Sequence, residues 1–221
     1  QPGGTVSPEA AKFYIAWLKS AFKHIHSLQV IYRDIKSENA MIDREGYLKL
    51  IDFGFAKIIE NRTHTLLGTP EYFAPELLKG KGYGLPIDNW GLGILLYEML
   101  VGTTPFADDN TARTCEKILR NEVMIPQVIT DLNCRGLISM LLTKDPVKRI
   151  GSGTKRTSEI MAHSWLRSID WNALERKEVE APWVPELKTD DHTDTVDQEA
   201  YWEETYVPIA YDRDQEWCKD F

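Results

Sequence analysis

Four side chains within one short stretch could do phosphate and divalent-cation chemistry together: Asp34, Lys36, Asn39 and Asp52. The oxygens of Asn39 and Asp52 are hard donors of the kind Mg²⁺ takes. An ammonium such as Lys36 offsets phosphoryl charge, and a second acid, Asp34, can act as a base. The local pattern brings these groups together. Ala40 to Asp43 reads as a short apolar strand, and Tyr47 to Ile51 alternates as a second one. Arg44-Glu45-Gly46 supplies the turn, with Gly46 free to take a positive φ. With Glu45 and Gly46 at the centre of the turn, residue 44 pairs with 47, 42 with 49 and 40 with 51. The next pair out sets Asn39 beside Asp52, with Asp34 and Lys36 on the loop leading in.

The rest of the chain must hold this hairpin. A length of 221 residues, with 43% hydrophobic and 27% charged residues, suits one large domain or a domain with an extended tail. No apolar run nears the roughly 20 residues that span a bilayer. No basic-then-apolar leader opens the chain, so a cytoplasmic location is expected, with a nuclear one left open. The net charge of −8 argues against nucleic acid and weakly favours basic partners. Three scattered cysteines make neither a disulfide framework nor a zinc site.

Ser7-Pro8-Glu9 starts a long helix by N-cap, N1 proline and first-turn acid. Ala10, Tyr14, Trp17, Ala21, Ile25 and Leu28 mark its buried stripe, widened by Phe13, Leu18 and Phe22. His24 and His26 near its end read as packing or helix-end contacts ahead of metal ligands. Pro86 to Leu100 is apolar nearly all round and belongs inside the body. Asp88 and Glu98 on it therefore need partners. Further helices are expected from Asn110 to about Asn121, Leu132 to Leu142 and Ser158 to Trp165. Beyond about Asp170 the periodicity fades into an acidic, Trp-containing tail, read as wrapped over the body. The sum is a mostly helical α+β body with one small hairpin.

Tyr32-Arg33-Asp34 with Lys36 and Asn39 resembles the protein-kinase catalytic loop H-R-D-x-K-x-x-N, with Tyr in the His place. Asp52-Phe53-Gly54 matches D-F-G, Ala74-Pro75-Glu76 matches A-P-E, and the order and spacings agree. Tyr32, Gly54-Phe55-Ala56-Lys57 and the segment GTPEYFAPE resemble the AGC serine/threonine kinases. RTHTLLGTPEY is closest to the cyclic-AMP-dependent subgroup, with the cyclic-GMP-dependent subgroup next. The resemblance implies a kinase-like fold, ATP and Mg²⁺ as cofactors, and phosphoryl transfer to Ser/Thr hydroxyls. It makes Asp34 the base, places Lys36 on the transferring phosphoryl, and gives Mg²⁺ to Asn39 and Asp52. Thr69 would bond Asp34 and Lys36, and Met41 would floor the adenine pocket. Thr65 resembles an activation-loop phosphorylation site, with Arg33 and Lys57 as the cations for its phosphate. Glu76 would pair with Arg149. Glu38 and Glu98 resemble the acids that bind a substrate arginine, plain core pairing being the other reading of Glu98. Leu66, Pro70 and Phe73 would line a pocket for the apolar residue after the acceptor.

Residues 1–4 then end an inter-lobe linker, 5–166 form the large lobe with catalytic loop 32–39 and activation segment 52–76, and 167–221 form an AGC-type tail. Protein substrates with Arg-containing motifs and an inhibitory regulatory subunit or domain are the expected partners. The G-x-G-x-x-G loop, the strand lysine and its helix acid of the small lobe do not occur in the chain, nor does a short acid-bearing helix after Gly4. We expect them to belong to the full protein outside these 221 residues, and ATP to be clamped only with them. A kinase-like binding module without catalysis is the rival reading, disfavoured because Asp34, Lys36, Asn39 and Asp52 are all present. A small-molecule phosphotransferase is disfavoured by the GTPEY and APE segments. Ser37 stands where the family usually has Pro.

Overall fold

A computed structural model describes residues 4–59, 62–152 and 156–185. Helices dominate, with two small antiparallel strand pairs, as the α+β reading expected. Helix α1 spans Pro8–Ser27, and Ser7 caps it by accepting the Ala10 N–H at 3.1 Å. Helix α3, Pro86–Val101, runs through the interior with Trp90, Leu92, Ile94 and Leu96 fully buried, and ends on Gly102 at φ +84. It packs against α1 and against α5 (Leu132–Leu141), whose N-cap is Asp131. Helix α4, Thr111–Arg120, is capped by Asn110. No helix among the described residues is long and apolar enough to cross a membrane.

Phe13, Tyr14, Leu18 and Phe22 on α1 are buried as the apolar pattern placed them, but the buried face extends to residues that the pattern left out. Ala11, Ile15, Leu18, Phe22 and His26 face inward with Lys19, whereas Leu28 is exposed. Two basic residues on the inner face hide this extension from a hydrophobicity reading.

Strand β1 (Val30–Ile31) pairs with β4 (Lys57–Ile58), a ladder that the sequence pattern did not suggest. Strand β2 (Ala40–Ile42) pairs with β3 (Leu48–Leu50) as a hairpin, but one residue off the expected register: Ala40 faces Leu50 and Ile42 faces Leu48. Asp43 causes the shift. Its Oδ1 accepts the N–H groups of Glu45 and Tyr47 at 3.0 and 2.9 Å, closing a three-residue loop with Gly46 at φ +85. Asn39 therefore stands opposite Ile51, whose N–H it accepts at 3.0 Å, and not opposite Asp52.

Short helix α2 (Pro75–Leu78) follows the 3-10 turn Pro70–Tyr72. Helix α6 is Arg156–Met161, followed by a separate 3-10 turn at Ser164–Leu166 in place of one continuous helix. Helix α7, Trp171–Glu175, lies where periodicity had faded; Asp170 caps it. The chain then crosses the hairpin turn. Tyr47 OH donates to Val179 O, Lys177 pairs with Asp43 and Glu45, and Trp183 lies over Gly46. The expected wrapping of the tail from residue 186 on lies outside the described residues.

Gly91 on α3 lets the loop before the hairpin sit directly on the helix: a Cβ there would lie 2.0 Å from Ile35 Cγ2. Gly91→Ala is expected to destabilise the protein by about 1–3 kcal/mol through overpacking, read as a lower denaturant midpoint.

Candidate active site

The loop between β1 and β2 is fixed from below by one buried acid. Asp88, in the first turn of α3, accepts the Tyr32 N–H on Oδ2 at 3.0 Å and the Arg33 N–H on Oδ1 at 2.9 Å. His26 Nε2 meets Oδ2 at 2.7 Å. The buried acid that needed partners has three, and one of the two flagged histidines is among them. Arg33 takes φ +72, a conformation stabilised by this grip.

Asp34 follows and is buried. Asn39, within the 3-10 turn Ser37–Asn39, donates from Nδ2 to Asp34 O at 2.9 Å and to Asp34 Oδ2 at 2.7 Å. Lys36 Nζ lies 3.4 Å from the same Oδ2. With Nδ2 committed, Asn39 has Oδ1 left as an acceptor. Asp52, at φ +57, takes the Gly54 N–H on Oδ1 at 2.9 Å and has Oδ2 left. Both free atoms are hard oxygens of the kind a divalent cation such as Mg²⁺ takes. No group of three His, Cys, Asp or Glu among the described residues could hold a metal ion. Met41 is exposed on β2 beside this end of the hairpin.

The activation segment approaches from the other side. At Gly68, φ +112, a Cβ would lie 3.1 Å from Arg33 O and 3.7 Å from Asp34 Oδ1. Thr69 is half-buried, and among the described residues no hydrogen bond joins its hydroxyl to Asp34 or Lys36. Phe73 is buried beside Gly68, with Leu66 and Pro70 half-buried on the same segment. Thr65 is exposed, and its carbonyl accepts Tyr83 OH at 2.5 Å. Arg33 reaches this place: its Nε donates to Phe55 O and its Nη1 to Tyr83 OH at 3.3 Å. Lys57 Nζ lies on Thr63 Oγ1 at 3.2 Å, two residues short of Thr65.

Acids gather on the far side of the loop. Glu98 accepts Tyr72 OH, and burial holds its carboxyl above the usual range, with the charges of Glu38 and Glu71 adding to the effect. Burial and the Glu98 charge likewise raise the Tyr72 phenol. Glu38 is exposed, and its Oε2 takes the Ser37 hydroxyl at 3.2 Å. Glu71, which sequence reasoning passed over, accepts the Thr104 hydroxyl; its position beside the segment's Pro70 was the available signal. Glu76 and Arg149 form a two-pronged buried pair at 2.7 and 2.8 Å.

A family model described as "Protein kinase domain" matches residues 1–166. The human "cAMP-dependent protein kinase catalytic subunit PRKX" is 40% identical over 221 residues, covering 99% of this chain and 61% of that protein. The "cAMP-dependent protein kinase catalytic subunit 3" of Drosophila melanogaster is 39% identical over 220 residues, covering 99% of this chain and 37% of that protein. Human "RAC-beta serine/threonine-protein kinase" is 40% identical over 194 residues, covering 86% of this chain and 40% of that protein. The chain thus spans no more than 61% of the length of these relatives.

Proposed function

The chain belongs to the protein kinase family, and from that premise we propose that this protein transfers the γ-phosphoryl of ATP to Ser/Thr hydroxyls in Arg-containing sequences, within cyclic-nucleotide signalling. The observation that carries the reading is the Asp34 carboxylate, buried, oriented by Asn39 and Lys36, on a backbone gripped by Asp88. Asp34 accepts or orients the proton of the acceptor hydroxyl. Lys36 then stands at the transferring group and offsets its charge. Asn39 Oδ1 and Asp52 Oδ2 would hold Mg²⁺, which when bound neutralises phosphate charge and aligns the leaving oxygen. The approach of Gly68 to Asp34 supports reading the segment carrying Leu66, Pro70 and Phe73 as the platform for the acceptor peptide. Phosphorylated Thr65 would draw on Arg33 and Lys57.

The names of the relatives support the cyclic-nucleotide setting, an inhibitory regulatory partner and a cytoplasmic or nuclear location go with it, and the acid cluster supports the arginine preference. Glu98 accepts Tyr72 OH, and burial with the nearby Glu38 and Glu71 charges holds its carboxyl above the usual range, so a bound guanidinium would offset that clustered charge. The full-length protein is expected to phosphorylate Arg-Arg-x-Ser-apolar peptides at least ten-fold more efficiently than the same peptides with alanines for arginines. Glu98→Gln should raise KM for the arginine peptide about ten-fold or more and leave kcat nearly unchanged. The wild-type preference should fade as pH falls through the raised Glu98 value, because protonation removes the anion. Equal turnover of both peptides would remove Glu38 and Glu98 from recognition.

A further inference from the structure

Lys19 is fully buried in the middle of α1. Its one hydrogen bond among the described residues is to a neutral group, Asn89 Oδ1, at 2.9 Å. An ammonium so placed is costly to bury. We propose that Lys19 is a positioning residue: by fixing Asn89 it holds the first turn of α3 so that Asp88 keeps its grip on the Tyr32 and Arg33 amides, and so keeps Asp34 in place.

The chain of contacts is continuous. The Lys19 donor fixes which end of the Asn89 amide carries the oxygen. The other end, Nδ2, then faces the carbonyls of Ile150 and Gly151, both at 3.4 Å. Gly151, at φ +79, leaves no slack, since a Cβ there would lie 2.8 Å from Asn89 Nδ2. Asn89 is thus clamped on both sides, and its neighbour Asp88 makes the three contacts that set the loop. Asp34 is the residue after Arg33, so a turn of α3 that shifts must carry the base with it.

Charge marks the same site. Burial pulls the Lys19 amine from 10.5 to about 8, and the negative charge of Asp88 works against that fall. Of the described charged groups around α1 and Asn89, several are engaged elsewhere, Glu98 with Tyr72 OH among them. Glu159 takes the Gly151 N–H, Glu175 takes Ser20 and Lys23, Lys49 faces Asp43, and Arg149 is bound to Glu76. His26, on the same helix, is on Asp88. Between pH 8 and 10.5 the unfolded chain binds the proton that the folded chain has given up, so folding gains stability as pH rises there.

The test uses the full-length protein with Lys19→Met, Asn89→Leu and the double variant. Three readouts are taken: kcat and KM, amide hydrogen exchange at Tyr32 and Arg33, and melting temperature from pH 7 to 10. Lys19→Met should lower kcat about ten-fold, change KM less than two-fold and speed exchange of the two amides about ten-fold. At pH 7 it should melt no lower than the wild type, which should gain on it steadily above pH 8. The double variant should be no worse than either single one, as for two residues acting in series. Lys19→Gln, which keeps a donor of shorter reach, should fall between, and it carries the test if Lys19→Met does not fold. Turnover and exchange both within two-fold of wild type, or additive losses in the double variant, would overturn the proposal. This inference rests on the kinase reading for kcat alone. If the wild type transfers no phosphoryl group that reading falls, and the exchange and melting data still decide the role of Lys19.

Discussion

Asp34→Ala in the full-length protein is expected to lower turnover by about three orders of magnitude, within the range that a positioned general base supplies, and to leave the fold intact. Two contributions are lost together. The acceptor hydroxyl loses the group that takes or orients its proton. Lys36 and Asn39 lose the oxygen on which both converge, Asp34 Oδ2. Asn39 keeps its bond to the Asp34 carbonyl, and the Tyr32 and Arg33 amides keep Asp88, so the loop backbone is retained. The loss should appear in kcat, with KM for ATP and peptide little changed, since neither substrate's binding depends on the base. Asp34→Asn is the sharper variant, because it keeps shape and removes the charge; it should lose nearly as much. Steady-state kinetics with a melting curve for each variant makes the check. Turnover within ten-fold of wild type would remove Asp34 from the base role.

How much of this was legible in the sequence varied with the range of the interactions involved. Helices α1 and α3 were legible because caps and apolar content are local properties, as with Ser7-Pro8 on α1 and the apolar run of α3. The grouping of Asp34, Lys36 and Asn39 was legible because all three lie within six residues. The hairpin was legible as an element but not in register, because the choice between a two- and a three-residue loop lies with one side chain, Asp43, bonding two backbone amides. That single step set the Asn39 backbone opposite Ile51 in place of Asp52. The β1–β4 ladder was hidden because each strand is two residues long and the partner lies far along the chain. Part of the inner face of α1 was hidden by its own chemistry. Lys19 drew no reading at all, and His26 read as packing or a helix-end contact without a partner, yet both face α3, where Asn89 and Asp88 receive them. Polar residues at apolar spacing were the available signal: Ile15, Lys19, Phe22 and His26 follow one another at helical intervals.

Those buried polar contacts divide into two anchors, and the second carries the larger stability effect. Arg149 is fully buried and holds four acceptors at once: both Glu76 oxygens, Pro86 O at 2.9 Å and Thr143 O at 3.0 Å. Its guanidinium also lies 5.1 Å from the Trp90 ring centre. It therefore joins the end of the activation segment, at α2, to the start of α3. Arg149→Met is expected to cost about 3–5 kcal/mol, because Glu76 is left buried without a counter-charge. For a domain of this size that corresponds to a fall in melting temperature of roughly ten degrees. Replacing Glu76 as well, by Leu, should recover much of the loss, since the uncompensated charge is then gone. Recovery should stop short of wild type, because the Pro86 and Thr143 carbonyls still lack their donor. Arg149→Lys should fall between, since an ammonium keeps the charge but cannot match the planar two-pronged contact. Denaturant unfolding of the four proteins measures this directly. If Arg149→Met lost less than about 1 kcal/mol, the pair would be joining α2 to α3 without stabilising the fold.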